Sequence, residues 1–493
     1  MKKQISKFYA RVWRWHFYAG IVVAPFLIIL AITGLAMVLL ANTTGRDLDQ
    51  TRVSPQETRA AVSIQAQNAL NTVPNAEVLQ YIAPRRADTV AIFRVKSIDD
   101  AAPADNMVLV NPYSGKVVDS FARDSNWYHK FDQFHGDLML GVTGDYLQET
   151  AASLTILLIV TGIYLWWQKN QSLKSMLIPT AQNLRQKRLS FRAIHATLGS
   201  WVAIILLFFC ISGLAWAGIW GGKMVQAWSQ FPAGKWGVEP TPVSSSPFGN
   251  KKAAAPSAKP HVHGADNSGT HPMPSHGEVL NDGKTKEVPW ILEQTPMPMS
   301  GTMSGKRGLD SQSVITIDRV DDFARQLGFS GRYQLNLPQG DTGVWTLSQD
   351  SMSYDLTSPF ADRTVHLDRY SGNILADIRF SDYNAFGKFM AAGLALHMGT
   401  LGFFSILVNV LFCLSVIAIC LTGLVMWWQR RPEPSAGLQP PASQKQLAMP
   451  WSFAVLLLII AAIFPTAIIA IGIIAILDSL LIRHLPVLQK WLK

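Results

Sequence analysis

The chain has 493 residues, of which 49% are hydrophobic and only 15% are charged, and its formal net charge is +10. That charged share is too low for an ordinary soluble protein of this length, and the apolar residues form blocks long enough to cross a bilayer. Much of the positive charge lies beside these blocks, as in the cytoplasmic loops of membrane proteins. The composition therefore predicts a lipid bilayer environment and no nucleic-acid partner.

The three cysteines, Cys210, Cys413 and Cys420, all lie inside apolar blocks. This placement excludes a disulfide framework and a cysteine-type zinc site. The first apolar block follows a basic stretch but is too long for the core of a signal peptide. We therefore expect a retained membrane anchor with a cytoplasmic N-terminus.

The apolar and polar blocks alternate along the chain, and the positive-inside rule orients them. In chain order we predict the N-terminus and first span at 1–41, an external α+β domain at 42–147, the second span at 148–168, a cytoplasmic loop at 169–194, the third span at 195–220, an external low-complexity linker at 221–310, a second external α+β domain at 311–396, the fourth span at 397–429, a cytoplasmic linker at 430–450, and a hydrophobic element at 451–482. Pro465 interrupts the last element, and the sequence leaves open whether it crosses once or twice.

One phrase occurs twice in the chain, 179 residues apart. His16 is followed by Gly20, and His195 by Gly199; in both stretches a Ser/Thr-Gly pair begins seventeen residues after the histidine. Such spacing is typical of a duplicated half-molecule rather than of a small repeat. The predicted fold class is a mainly α-helical transmembrane bundle of two pseudo-repeats, each helix–α+β domain–helix, plus a C-terminal hydrophobic helical element.

Four histidines lie at the predicted membrane edges. His16 and His195 are at the cytoplasmic ends of spans, and His135 and His397 precede spans at the external edge. A single histidine there is more often an ordinary interfacial residue, but four in a repeated arrangement favour function, since ionisable residues in spans are costly. Two neutral imidazoles from different helices are suitable axial ligands of haem b. We therefore predict two b haems, one on each side of the membrane.

Several neighbouring residues bear on this prediction. Gly20 and Gly199 lie one helical turn from their histidines, where they leave room for a flat macrocycle, although close helix packing explains them equally well. His129 competes with His135 as a ligand and ranks second. The chain has no Cys-x-x-Cys-His motif for covalent haem, and its spans have almost no carboxylates for a zinc or proton-relay site.

The low-complexity segment contains a group of histidines and methionines that suits copper, especially Cu(I). The group comprises His261, His263, His271, Met273, His276, Met297, Met299 and Met303. The spacing is irregular, so a flexible linker without a metal is the favoured interpretation and metal capture the second.

Residues 110–118 (Val-Asn-Pro-Tyr-Ser-Gly-Lys-Val-Val) and 366–375 (His-Leu-Asp-Arg-Tyr-Ser-Gly-Asn-Ile-Leu) lie between helices with Trp-Arg-Trp-His and Thr-Gly-x-x-x-Trp-Trp. With these motifs the chain resembles the PepSY-associated transmembrane proteins over about 1–430. The resemblance implies PepSY-like α+β domains in the periplasm and a location in the bacterial inner membrane. Because some members reduce ferric siderophores with two b haems, it also implies this role for His16, His195, His135 and His397.

The function predicted from the sequence is a di-haem b reductase that passes electrons from the cytoplasmic side to a periplasmic ferric-siderophore, or to another Fe(III) or Cu(II) complex. Its catalytic residues are not identified. Because the cytoplasmic loops contain no nucleotide-binding glycine motif, the donor would be a separate cytoplasmic reductase or a quinol. The alternatives are a non-enzymatic membrane-anchored binding or regulatory protein and a component of a metal or siderophore permease.

Overall fold

The computed structural model describes residues 7–98, 105–167, 174, 177–178, 187–226, 274–281, 285–301, 305–309, 314–430 and 451–476. The chain divides into two compact units. The first, called the helical unit, comprises Met1–Leu35, Gln133–Met224 and Leu407–Lys493. The second, called the sheet unit, comprises Ala36–Asp132 and Val225–Ile406.

The α-helices fall into a long, apolar class and a short class. They are α1 (Lys7–Thr43), α2 (Val62–Leu70), α3 (Trp127–Asp137), α4 (Val142–Trp167), α5 (Lys187–Leu214), α6 (His276–Leu280), α7 (Ile317–Gln326), α8 (Ala385–Met398), α9 (Phe403–Arg430), α10 (Trp451–Ile463) and α11 (Pro465–Ile476). A π-helical segment, Gly218–Val225, follows α5. The strands are β1 (Ala76–Ile82), β2 (Ala91–Ser97), β3 (Asn106–Val110), β4 (Val117–Ala122), β5 (Gln334–Asn336), β6 (Val344–Gln349), β7 (Arg363–Asp368) and β8 (Ile374–Arg379).

Four helices of the described chain are long and apolar enough to cross a membrane. They are Phe8–Thr43, Val142–Trp167, Ser190–Leu214 and Phe403–Arg430. A helix satisfies its own backbone hydrogen bonds, so it is stable in lipid, where water is absent. At about 1.5 Å per residue, each exceeds the roughly 30 Å of a hydrocarbon core. The predicted membrane protein with four apolar spans is confirmed at this level.

The C-terminal apolar stretch forms two helices instead of one. Helix α10 ends at Ile463 and α11 begins at Pro465. Proline has no backbone N–H and clashes with the preceding turn, so the helix breaks there. Each helix is about 20 Å long or less, shorter than the hydrocarbon core. Helix α11 packs against α4, where the Ser153 and Thr466 hydroxyl oxygens lie 3.1 Å apart.

The sheet unit is built on one antiparallel sheet of eight strands, in the order β4-β3-β2-β1-β5-β6-β7-β8. Helices α2 and α7 cover one face of the sheet and share its apolar core. In α7, for example, Ile317, Val320 and Ala324 are buried at helical spacing. A mainly helical molecule is therefore not confirmed, because the two predicted α+β segments form a large sheet.

Strands β1 and β5 join the two segments at the centre of the sheet. Their register pairs Gln80 with Asn336 and Tyr81 with Leu335. The buried Gln80 side-chain amide donates to Gln334 Oε1 at 2.9 Å and to Asn336 Oδ1 at 3.0 Å. Each four-stranded half alone would expose β1 or β5 as an unpaired edge, and the pairing removes both edges.

The Tyr-Ser-Gly turns of the two halves share one conformation. Asn111 Oδ1 accepts from the backbone of Tyr113 at 2.9 Å, and Asp368 Oδ1 accepts from Tyr370 at 2.8 Å. Gly115 and Gly372 then both have φ of 69°, a left-handed conformation that favours glycine. The likeness extends to this turn; duplication of the whole half-molecule stays a prediction.

The structure differs from the prediction of a linker over 221–310. From residue 274 onward, the described parts of this segment are folded into the sheet unit. Helix α6 begins with a capping box formed by Ser275 and Glu278. Trp290 and Leu292 are fully buried. Burial of these large apolar side chains contributes more free energy to folding than a polar linker could, and this part of the chain is therefore ordered.

Candidate functional site

Two of the predicted ligands face each other in the helical unit. His16 lies in the first part of α1, and His195 lies in α5. Their ring centroids are 6.4 Å apart, and their planes are inclined at 89°. Both side chains are half-buried. The structure thus brings together the pair that the sequence assigned to one cofactor.

One nitrogen of each ring is already hydrogen-bonded to a neighbouring helix. His16 Nδ1 lies 2.9 Å from the Thr161 hydroxyl oxygen in α4. His195 Nδ1 lies 2.9 Å from the backbone oxygen of Ile419 in α9. Among the described residues, the hydrogen bonds of both rings involve Nδ1, which leaves Nε2 of each for another partner.

The second predicted pair is divided between the two units. His135, at the end of α3, belongs to the helical unit, and its Nδ1 lies 2.9 Å from the Thr33 hydroxyl oxygen. His397 lies in the last turn of α8 in the sheet unit, just before Gly399 ends that helix in a left-handed conformation. Their joint ligation of a haem stays a prediction.

The two glycines near His16 and His195 have open surroundings. A Cβ atom added at Gly20 would have its nearest neighbour, Leu158, at 3.9 Å, and one added at Gly199 would meet nothing within 4 Å of the described protein. Contacts at 3.5–4.0 Å are ordinary van der Waals contacts. Within the described residues, close helix packing therefore does not account for either glycine, and both positions leave room beside the histidines.

His129, the second-ranked candidate, has a different environment. It is buried in the sheet unit, where its Nε2 lies 2.8 Å from Asp47 Oδ1. Burial raises the pKa of Asp47, but Arg123, His129 and Arg46 outweigh that effect and hold the pKa well below its usual range. The ionised Asp47 carboxylate is therefore the hydrogen-bond partner of His129.

The histidine and methionine group is only partly described by the structure. His261, His263, His271, Met273 and Met303 lie outside the described residues. Of the other three, Met297 is buried in an apolar cluster and Met299 is exposed. His276 is buried, and its Nε2 lies 2.9 Å from Nε2 of His366.

This His276–His366 pair was not anticipated from the sequence. His276 Nδ1 lies 2.8 Å from the Thr295 backbone oxygen, and His366 Nδ1 lies 3.0 Å from the Thr346 hydroxyl. Burial lowers the pKa of His276 to about 4 and that of His366 well below its usual value. The pair is therefore neutral at pH 7. In the described part of the chain, no three His, Cys, Asp or Glu side chains are grouped to hold a metal ion.

In the described part of the helical unit, three Thr-Gly pairs contact histidines. They are Thr33–Gly34, Thr161–Gly162 and Thr422–Gly423, beside His135, His16 and His195 respectively. The sequence contains the signal, because the dipeptide recurs in three apolar spans, but the sequence alone does not reveal which histidine each pair contacts.

Comparison with known families gives one match. The profile of the PepSY-associated TM region family matches residues 13–430, well over half of the chain. The matched range includes His16, His135, His195 and His397, and it ends before α10. A search among curated proteins finds no match to this chain.

Proposed function

The chain belongs to the PepSY-associated TM region family, and we propose that it is a membrane haem b protein in which His16 and His195 ligate one haem. The observation that supports this proposal is the 6.4 Å separation of the two rings. Bonds from a metal ion to an imidazole nitrogen are about 2 Å long, so an ion held between two rings places their centroids roughly 6 Å apart.

The His276–His366 pair of the same protein is an internal comparison. Those rings are joined directly by an Nε2–Nε2 contact of 2.9 Å, and their centroids are 4.9 Å apart. The His16 and His195 centroids, at 6.4 Å, are 1.5 Å farther apart. Two nitrogens on one metal ion are about 1 Å farther apart than two nitrogens in a hydrogen bond. The wider spacing favours ligation over a direct hydrogen bond.

The surroundings of the pair fit a haem better than a hydrolytic metal ion. Two neutral imidazoles are a common axial ligand set for haem iron, whereas zinc and proton-relay sites usually add carboxylates or thiolates. The described residues contain no group of three such ligands. The open space beside Gly199 and the loose contact at Gly20 would admit a macrocycle edge.

A bound haem b would supply one-electron redox chemistry at its iron. The residues of the chain bind it and orient its ligands, and the apolar spans exclude water from it. We propose that the protein accepts single electrons on the cytoplasmic side of the bacterial inner membrane, from a separate reductase or a quinol. Each electron reduces one Fe(III) of a periplasmic siderophore complex to Fe(II), or one Cu(II) to Cu(I). A second haem, on His135 and His397, belongs to the same proposal.

The test is an absorption spectrum of the detergent-purified protein, oxidised and dithionite-reduced, with a haem count by pyridine haemochrome. We expect a b-type reduced α-band and about two haems per chain. The matched variants are His195→Ala, which should lose one haem, and His276→Leu, which should retain both because His276 is hydrogen-bonded to Thr295 and His366 and is not one of the four proposed haem ligands. Absence of a Soret band from protein made with ample haem would end the proposal. That result would favour a membrane-anchored binding protein or a permease component.

A further inference from the structure

In the described part of the helical unit, three histidines each contact a Thr-Gly pair on another helix. We call each pair a threonine–glycine clasp: Thr161–Gly162 on His16, Thr33–Gly34 on His135, and Thr422–Gly423 on His195. In the first two clasps the threonine hydroxyl oxygen lies 2.9 Å from the histidine Nδ1. In the third it lies 3.4 Å from Nδ1, and the Ile419 backbone oxygen lies closer, at 2.9 Å.

The threonine hydroxyl has only one proton, and its position in the helix determines where that proton goes. Thr161 Oγ1 donates to the Leu157 backbone oxygen at 2.7 Å, and Thr33 Oγ1 donates to the Ile29 oxygen at 2.7 Å. With its proton used in this way, the hydroxyl can only accept from the histidine. The proton in the Thr–His contact therefore belongs to the imidazole, on Nδ1.

The same assignment holds for His195 by a simpler route. Its Nδ1 is bonded to the Ile419 carbonyl oxygen, and a carbonyl oxygen has no proton to donate. In all three rings Nδ1 thus bears the proton, and in the neutral imidazole Nε2 then has a lone pair. That is the tautomer required of a ligand that binds a metal through Nε2.

The glycine of each clasp allows the ring to approach the helix closely. A Cβ atom at Gly162 would lie 3.2 Å from His16 Cε1, and Cβ atoms at Gly34 and Gly423 would lie 3.3 Å from Cε1 of His135 and His195. Carbon atoms in ordinary contact are 3.5–4.0 Å apart. A side chain at any of these positions would push the imidazole away from its hydrogen-bond acceptor.

We propose that the three clasps are positioning elements that present Nε2 of His16, His135 and His195 as lone-pair donors to haem iron. This inference rests on the proposed function. A hydrogen bond from Nδ1–H to an oxygen also raises the basicity of the ligand. Because a more basic ligand stabilises ferric over ferrous iron, the clasps lower the midpoint potential of the haems they contact.

The test compares three variants of α4. Thr161→Val keeps the shape of the side chain but removes the acceptor, and Thr161→Ser keeps the acceptor. Thr155→Val is the matched control, since Thr155 is buried in the same helix and donates to the Ala151 backbone oxygen at 2.8 Å, and none of its hydrogen bonds to described residues involves a histidine.

The readouts are the haem affinity, the midpoint potential from redox titration, and the protonated nitrogen from ¹⁵N spectra of labelled histidine. Thr161→Val should bind one haem roughly 10- to 100-fold more weakly. The potential of that haem should shift to a more positive value, while Thr161→Ser and Thr155→Val stay at the wild-type values. If haem-containing Thr161→Val and wild-type protein have equal midpoint potentials and equal haem affinities, the positioning role of the clasp is wrong. The haem proposal is unaffected by that result.

The ¹⁵N spectra separate failure of the clasp from failure of the proposed function. If the purified protein contains no haem, the proposed function is wrong, and with it the role of the clasps toward iron. If haem is present, the proton of His16 should be on Nδ1 in the wild type. A proton on Nε2 of His16 would contradict the positioning role of the clasp, with or without bound haem.

Discussion

The helical unit and the sheet unit both bury polar side chains, but they satisfy them in different ways. In the sheet unit, buried charges are paired with one another: Glu287 accepts from Arg46 at 2.8 Å and also from Arg123. In the helical unit, the hydrogen bonds of His16 and His195 to described residues involve Nδ1, and Nε2 of each ring is left for another partner. An ion cluster of paired opposite charges stabilises a particular fold, while an imidazole with one unbonded nitrogen at a half-buried site can bind a further group.

The ion cluster of the sheet unit is centred on a few buried groups. Arg332 donates to Asp355 and lies 3.3 Å from Asp47. Burial raises the pKa of Glu287, but Arg123 and Arg46 outweigh it, so the net effect lowers that pKa to about 2. Such a cluster is strongly coupled, because removing one charge leaves its partners buried and unpaired.

The largest effect that we predict is loss of a haem from the helical unit. His16→Ala and His195→Ala should each lower the haem count by one per chain, since a single imidazole holds haem iron far more weakly than two. The pyridine haemochrome count measures this. His397→Ala should lower the count without affecting the His16–His195 haem, as read from the potential of the haem that remains.

Removing one charge tests whether the sheet unit depends on its buried ion cluster. Arg332→Met should destabilise the sheet unit by about 3–5 kcal/mol, because it leaves the buried Asp355 carboxyl without its cationic partner and removes one of the cations beside Asp47. Thermal unfolding in detergent measures the change. The control is Arg379→Met, whose ion pair with Asp377 is largely exposed and should matter by less than about 1 kcal/mol. Similar losses in both variants would contradict a cooperative buried cluster.

The His276–His366 pair predicts a pH dependence of stability. The pKa of folded His276 is lowered to about 4, from about 6.5 in the unfolded chain. The unfolded state therefore takes up a proton first as pH falls, so the stability from this group is present above pH 6.5 and is lost toward pH 4. The expected loss is roughly 3 kcal/mol.

Unfolding between pH 7.5 and 4.5 should be compared in wild type and His276→Leu. The comparison is needed because burial also raises the pKa of Asp355, to about 7, and its contribution to stability changes in the opposite direction. The variant lacks the His276 contribution, so its stability should fall less with acid. Parallel curves for the two proteins would contradict the assignment.

The smallest predicted effect is a difference in stability between matching glycine substitutions in the two halves of the sheet unit. Gly115→Ala should cost about 1–2 kcal/mol, the usual penalty for a side chain in a left-handed conformation. Gly372→Ala should cost more, since its Cβ would also lie 2.7 Å from Leu309 Cβ, while Gly115 has looser neighbours. Unfolding of both variants measures the difference, and a larger cost at Gly115 would be the contrary result.

Local signals in the sequence determined much of this protein. Blocks of about 25 apolar residues predict spans wherever they occur, because a helix in lipid satisfies its own backbone. The left-handed glycines at 115 and 372 follow from the turn chemistry of the Tyr-Ser-Gly segments. The pairing of His16 with His195 was also predictable, from the repeated spacing of their helices.

Tertiary structure decided what depends on contacts between distant segments. The joining of β1 to β5 could not be predicted, because an edge strand carries no sequence mark of its partner. The clasps were equally hidden, since a span that is apolar on all faces does not show which way each residue points. The ordered segment from residue 274 could not be predicted, because its composition resembles a linker and the partners of its His276, His366 and Thr295, lie 90 and 19 residues away.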